Sequence, residues 1–526
     1  MVIETQLSLS PRDYRHRLTE CLAEHIQQPP TTIESFHITH QSIDARRKPI
    51  VVNVTVRISL RSEQPIQATP SDDETRRQPK YCEASEKPSV IIVGSGPAGL
   101  FAALKLIECG LRPIVLERGK DVSARKRDIA QLNRSHLLDP ESNYCFGEGG
   151  AGTFSDGKLF TRSKKRGDNH RILEIFCAHG ADSRILYEAH PHIGSDKLPS
   201  IIARMRETIV RYGGEVRFSA CVEKMLIHNS QIRGVVLRNG EEILAPQVIL
   251  ATGHSARDIY HTLHQQNIPL EAKGFAMGVR IEHPQAIINR IQYKKDLKQL
   301  PFLPPASYSL VTQVQDRGVY SFCMCPGGFI VPAATEPETI VVNGMSASNR
   351  SSPFANSGFV VEIRTEDLSG SSSDPLRGLR EQQHLEQLAY QFSGGGQCAP
   401  AQRVTDFLAH RISHDLPETS YIPGLSRSAL HAWLPSGIRT RLAEGLRAFD
   451  KKLQGFIMRD AILVGVESRT SSPVRIPRDR ETFEHPSIQG LYPCGEGAGY
   501  AGGILSSAVD GENCAEAAAR TRQSLV

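Results

Sequence analysis

The residues best suited to chemistry in this chain are glycines and one acid. Residues 94–99 read Gly94-Ser95-Gly96-Pro97-Ala98-Gly99, a G-x-G-x-x-G spacing set between a β-branched run and a helical pattern. The chemistry such a turn supports is anion binding. Gly94 suits a tight strand-to-helix turn, Gly96 lets backbone approach a pyrophosphate, and Gly99 lets helix and strand pack closely. Unpaired N–H groups and the positive dipole end at the helix start favour a phosphate there. Glu117, 18 residues after Gly99 and followed by Arg118, closes a second apolar run, where a carboxylate is expected to accept hydrogen bonds from a nucleotide's ribose.

Three further glycine-rich stretches could complete such a site. Residues 147–159 (Gly-Glu-Gly-Gly-Ala-Gly-Thr-Phe-Ser-Asp-Gly-Lys-Leu) suggest a loop folded closely around a ligand, with Gly152 and Thr153 as candidate contacts. Thr252 and Gly253 end the apolar run 248–251. Gly495, Glu496, Gly502 and Gly503 separate a last short strand from a helical pattern, so a second helix N-terminus would meet the same ligand. No acid or base for catalysis stands out: Ser155, Lys158, Arg280 and Arg469 each read as structural. Cys323 and Cys325, two apart in a strand pattern, should share one face; buried structural thiols are expected, with a thiol pair or shared metal as the alternative. The other cysteines show no metal-ligand spacing, and no metal is expected.

These stretches need a doubly wound sheet to bring them together. Leu100, Ala103, Leu104 and Ile107 recur at helical spacing, Gly110 ends that helix, and 113–116 reads as a buried parallel strand. Segments 215–218, 222–228 and 232–237 alternate, and Asn239-Gly240 supplies a hairpin turn, so a β-meander is expected before the chain re-enters the sheet at 248–253. Residues 490–493 would add the last strand. The fold class is therefore α/β: a Rossmann-like dinucleotide-binding domain with a β-meander, an inserted α+β domain and a small N-terminal α+β domain. The expected boundaries are 1–60, a linker at 61–87 rich in Pro, Ser, charge and Gln, 88–268 for the first part of the nucleotide domain, 269–440 for the insert, and 441–526 for its C-terminal part.

In the N-terminal unit, 2–9 alternates as a strand, and Ser10 and Pro11 start a helix with Tyr14, Leu18, Leu22 and Ile26 on one face. Strands follow near 35–39 and 50–60. Between them lies a basic cluster ending in Arg46-Arg47-Lys48, read as a solvated loop with an RNA- or partner-docking surface as the alternative. Lys164-Lys165-Arg166 reads as a solvated turn. With 62 basic against 57 acidic residues in 526, the chain is close to neutral for its length, so nothing in its overall charge demands nucleic acid or membrane. It offers no apolar run of membrane-spanning length and no signal-like N-terminus, and its eleven cysteines form no disulfide pattern; a cytoplasmic protein is expected.

On three stretches, residues 93–99 with Glu117, Ala251-Thr252-Gly253, and 490–496 with Gly502-Gly503, the chain resembles flavoproteins with a single FAD-binding fold of the glutathione-reductase type. Gly150 to Leu159 and Phe322-Cys323-Met324-Cys325-Pro326-Gly327-Gly328 make it most similar to the FAD-dependent dehydrogenases of that group. The resemblance covers roughly residues 40–526. It implies that Gly94, Ser95, Gly96, Pro97, Ala98 and Gly99 cradle the FAD pyrophosphate, Glu117 binds the adenosine ribose, Gly495 and Glu496 meet the pyrophosphate or ribityl chain, and Gly502 and Gly503 approach the flavin ring. The chain lacks the redox C-x-x-x-x-C and the second dinucleotide fold of the disulfide reductases, so NAD(P)H would bind transiently over the flavin. The expectation is an FAD-dependent oxidoreductase moving hydride between flavin N5 and a small-molecule substrate or NAD(P)H. The alternative is an RNA-associated or tRNA-modification protein in which FAD is partly structural.

Overall fold

The run Ser89–Val93 is apolar on both sides, and Val90 to Ile92 are wholly buried, so it must lie inside a sheet covered on both faces. In the computed structural model, which describes residues 2–45, 49–61, 79–160, 167–295, 297, 300 and 302–523, it is the centre of five parallel strands. Their order is Leu491–Pro493, Val248–Leu250, Ser89–Val93, Arg112–Leu116, Glu215–Arg217. Val90 and Ile92 pack against the helices Pro97–Glu108 and Ile504–Gln523 on one face, whereas Ile91 and Val93 meet Met225, Val235 and Leu237 on the other. That second cover is the meander of Val222–His228, Gln231–Leu237 and Glu242–Leu244. Glu215–Arg217, expected in the meander, instead pairs with Ile114 to Leu116 as the edge of the parallel sheet. Alternation marks a strand but not its partner, so this membership is decided by pairing alone.

From Ser89–Val93 the chain winds outward through Arg112–Leu116 to Glu215–Arg217, then returns to the opposite side with Val248–Leu250. The winding therefore reverses between Ser89–Val93 and Val248–Leu250. Open α/β sheets bind ligands in the crevice beyond the strand ends at such a reversal.

The second domain is built on a seven-stranded sheet in the order Val311–Val314, Arg317–Cys325, Phe354–Ile363, Phe275–Pro284, Ile462–Glu467, Ala399–Arg403, Leu425–Arg427. Ile462–Glu467 lies in its interior, paired with both Phe275–Pro284 and Ala399–Arg403, and the helix Ser436–Lys452 packs on the same sheet. The boundary expected at 440 is thus displaced to about residue 470. A fully buried strand so far along the chain reads equally well as part of either sheet.

The N-terminal unit is a three-stranded antiparallel sheet, Val2–Leu9, Val51–Leu60 and Ile33–Asp44, with its apolar face under two short helices. Ser10 accepts from Asp13 N at 3.1 Å as an N-cap. The single helix expected there breaks at Arg17 (φ −131°), whose N–H closes the first segment, Pro11–His16, on the Asp13 carbonyl before Leu18–His25 begins. Ser42 to Asp44 continue a strand instead of forming a loop. Residues 46–48 and 164–166, the two basic clusters, and most of the linker, 62–78, lie outside the described residues. Among the described residues no helix is long and apolar enough to cross a membrane.

Candidate functional site

The three motif glycines separate by what a side chain would meet. A Cβ at Gly94 (φ +103°) would fall 2.5 Å from the Ala251 carbonyl oxygen, so this turn must be glycine for the two strand ends to approach. At Gly99 it would lie 1.9 Å from the Gly94 carbonyl oxygen, which fixes the helix against the strand. At Gly96 it would meet only the Gly150 Cα, at 4.0 Å. Nothing in the protein requires glycine at position 96; the space before it is an open cradle at the start of Pro97–Glu108.

Ser95 faces away from that cradle. Its backbone N–H and hydroxyl both donate to Glu117 Oε2, at 3.0 and 2.7 Å, and its side chain is fully buried. Glu117 Oε1 accepts from Gly119 N and Gly147 N at 2.9 and 3.0 Å. A carboxylate has about four lone-pair sites, and all four are taken by protein donors. Glu117 lines the cleft as expected, but in this geometry its role is to knit the glycine turn, its own turn and the second glycine loop into one body. Arg118 lies over the Phe146 ring at 4.2 Å and is held by Glu141 and Asp258 at 2.7 and 2.9 Å, a fixed cationic wall beside Cys221 and Val222.

The loop at 147–159 folds onto the first turn: a Cβ at Gly150 would sit 3.1 Å from Gly96 Cα, and one at Gly152 would touch Pro97 and Ile504, the first residues of both helices. Gly152 lines the cleft. Thr153, expected beside it, is wholly buried and donates its hydroxyl to the Glu148 carbonyl at 2.7 Å, so it shapes the loop and does not face a ligand. Further on, Lys158 Nζ donates to the Met324 carbonyl and stands 3.7 Å from Asp156, whose other partner is Arg350 at 2.9 Å. Burial would raise the Asp156 pKa, but Lys158 and Arg350 outweigh it and hold the carboxylate below its ordinary value. The loop is thereby tied to the second domain.

Thr252, Gly253 and Glu496 line the same cleft beyond the strand ends, and Cβ atoms at Gly253, Gly502 and Gly503 would meet nothing within 4 Å. Gly495 lies behind them: its N–H donates to Asp510 at 2.7 Å and its Cα faces Ala98, so it supports the turn. Of the residues the sequence pointed to, Gly94, Gly96, Pro97, Ala98, Glu117, Arg118, Gly152, Thr252, Gly253, Glu496, Gly502 and Gly503 share one cleft, and Ser95, Gly99, Thr153 and Gly495 stand behind its wall.

The opposite wall comes from the second domain, through Tyr320, Phe322 and Cys323 of its large sheet with Asn343 and Arg469 beside it. A bulge between Phe322 and Cys325, with Cys323 at φ +43°, adds one residue to that strand. The two cysteines therefore do not share a face. Cys325 is buried against Arg280, while Cys323 is exposed where it lines the cleft. Arg280 is wholly buried behind this wall, donating to Asn356, Glu467 and the Cys323 carbonyl. Arg469 is fixed by Glu386 at 2.9 Å. His254, Tyr320 and Asn343 carried no motif in the sequence and reach the cleft only through pairing of distant strands.

Among the described residues one group resembles a metal ligand set, Cys494, Asp510 and Cys514. Arg478 donates to both Asp510 oxygens (2.9 and 2.6 Å) and approaches the Cys514 sulfur at 3.3 Å, so the place a cation would need already holds a guanidinium.

The cleft measures about 590 Å³, within the range of small-molecule and cofactor sites. Two helix starts meet over it, and open space faces Gly96, Gly253, Gly502 and Gly503. These features fit FAD. An FAD binding domain family matches residues 89–131 and 146–336, and the family described as FAD-dependent protein, C-terminal domain-like, matches 274–470. An uncharacterized protein of Clostridium beijerinckii is 42% identical over 525 residues, 97% of each chain. The chain belongs to a family of FAD-dependent proteins. The second family match spans the same residues as the seven-stranded sheet, and a domain of unknown function matches the N-terminal unit at 1–59. Thiamine thiazole synthase of Aeropyrum pernix is 26% identical over 182 residues, 32% of this chain and 55% of its own. The L-proline dehydrogenase structure from P. horikoshii is 14% identical with a TM-score of 0.31, covering 82% of this chain and 93% of its own, a likeness too low to bear on function.

Proposed function

We propose that this family member is a flavoenzyme that exchanges a hydride with a small-molecule substrate in the cleft between the two sheets. The observation that carries this reading is the pair of facing walls: the open space before Gly253, Gly502 and Gly503 looks across to Tyr320, Phe322 and Cys323. When bound, FAD supplies two-electron chemistry at its ring, and the protein supplies placement and environment. The N–H groups at the start of Ile504–Gln523 point their positive end at the cleft and favour developing negative charge there. Phe322 and Tyr320 exclude water from the facing side. Lys158 and Arg469, each already held by protein oxygens, keep fixed positive charge on the walls that would orient an anionic substrate.

NAD(P)H is proposed as a transient reductant sharing this cleft. A cytoplasmic setting is part of the same proposal, supported by eleven cysteines that form no disulfide among the described residues. The test is anaerobic: bleaching of the flavin absorbance is followed with NADH, NADPH and a metabolite panel. Rapid reduction by one of these supports the enzyme. If none reduces the flavin while dithionite does, the oxidoreductase reading fails.

A further inference from the structure

Beyond the cofactor cleft the molecule has a larger groove, about 1570 Å³, walled by the N-terminal unit, the nucleotide domain and the second domain. Its N-terminal wall is fixed by backbone pairing: Gln41 N donates to the Tyr187 carbonyl and Ala189 N to the Gln41 carbonyl, each at 2.8 Å. Seven lysine and arginine side chains line it against three carboxylates. Of the three, Asp182 is already engaged by Arg184 at 3.0 Å. Arg15, Lys197, Lys294 and Lys451 are exposed on its walls, and among the described residues none has a carboxylate within ion-pair distance. The chain as a whole carries only +5, so this is a local concentration of positive charge.

We infer that this groove is a docking surface for single-stranded nucleic acid, RNA in the first place. Its size exceeds what a single metabolite fills, and cations on three walls of a concave channel match a phosphate backbone running along it better than a flat bilayer. The channel also carries rings. Phe302, 39% exposed, meets the His16 ring edge-on at 5.0 Å on its margin, and Tyr14 and Tyr293 line it nearby. Unpaired bases stack on such rings, which adds a sequence-tolerant contact to the phosphate attraction. None of these residues lines the cofactor cleft, so the surface is independent of the proposed chemistry.

The test uses the FAD-loaded full chain and a fluorescein-labelled oligo(U) of roughly 12 nucleotides, within the span of known single-strand binders. Anisotropy should report binding at about 50 mM salt that weakens steeply with added salt. The triple variant Arg15→Gln, Lys197→Gln, Lys294→Gln should lower the log–log salt slope by about 2, at roughly 0.7 for each phosphate contact, and weaken binding about tenfold or more. Its FAD content should match wild type. Phe302→Ala should weaken binding without changing the slope. Absence of binding at low salt, a triple variant with unchanged affinity and slope, or poly-glutamate of matched charge binding as tightly as the RNA would each overturn the inference.

Discussion

Replacing Gly96 and Gly99 separately by alanine should split cofactor binding from folding. At Gly96 the backbone (φ −68°, ψ −177°) is open to alanine, and the new methyl meets no protein atom closer than 4.0 Å. The apo protein should lose no stability, and should gain about 0.4–1 kcal/mol from a less flexible unfolded chain. The methyl would instead occupy the cradle from which backbone N–H groups reach a phosphate. Each charge-assisted hydrogen bond lost there is worth about 1.5–3 kcal/mol, roughly a 10- to 150-fold weaker affinity for FAD. Gly99→Ala does the reverse. Its methyl would be 1.9 Å from a backbone carbonyl oxygen, so the helix must retreat from the strand. Overpacking of that kind costs about 2–3 kcal/mol, or roughly 4–12 °C in the melting of a unit of this size. The measurements are the melting temperature of apo protein and titration of apo protein with FAD by flavin fluorescence. Wild-type FAD affinity in Gly96→Ala would refute the reasoning, as would Gly99→Ala with unchanged melting.

Three other perturbations extend the same logic. Glu117→Ala should lower apo stability as well as FAD affinity, by on the order of 3 kcal/mol, because it strands the Ser95, Gly119 and Gly147 N–H groups that Glu117 accepts; unchanged apo melting would show that those bonds do not hold the loops. Gly502→Ala, where a Cβ meets nothing within 4 Å and φ is not left-handed, should leave the fold intact and lower the flavin reduction potential, about 30 mV for every 1.4 kcal/mol of lost stabilisation. Potentiometric titration decides it, and an unchanged potential with full FAD places this turn away from the ring. Gly503→Ala is the poorer probe, since φ +103° strains any side chain there. Finally, burial lowers the His283 pKa from 6.5 to about 4, with its Nε2–H on the Phe456 carbonyl and Nδ1 without a partner. Between those values the unfolded chain binds a proton that the folded chain does not, so stability falls as pH falls from about 6.5 to 4, by on the order of 3 kcal/mol. His283→Phe should flatten that part of the denaturation profile, and an equal slope in the variant would contradict it.

The features of this protein that are legible in its sequence are local ones. Turn chemistry is written in consecutive residues, so the spacing of Gly94, Gly96 and Gly99 is enough to assign them distinct duties, and the apolar runs on either side announce strand and helix. The alternation at 231–237 with Asn239-Gly240 likewise specifies the hairpin to Glu242–Leu244, since register in a hairpin is set by its own turn. Which donors meet which acceptors across long separations is decided only in the folded chain. Glu117 lies 22 residues from Ser95 and 30 from Gly147, and nothing in its neighbourhood shows that its lone pairs are spent on them. Thr153 turns inward because the Glu148 carbonyl is there to receive it. One extra residue in the Arg317–Cys325 strand leaves Cys323 exposed and Cys325 buried, where an unbroken period of two would have put them on one face. Ile462–Glu467 joins the second sheet by pairing on both sides, with Phe275–Pro284 and with Ala399–Arg403, partners far from it in sequence. Local backbone preference acts over a few residues and is legible in order, whereas pairing and burial are settled by competition among all the strands of the chain at once.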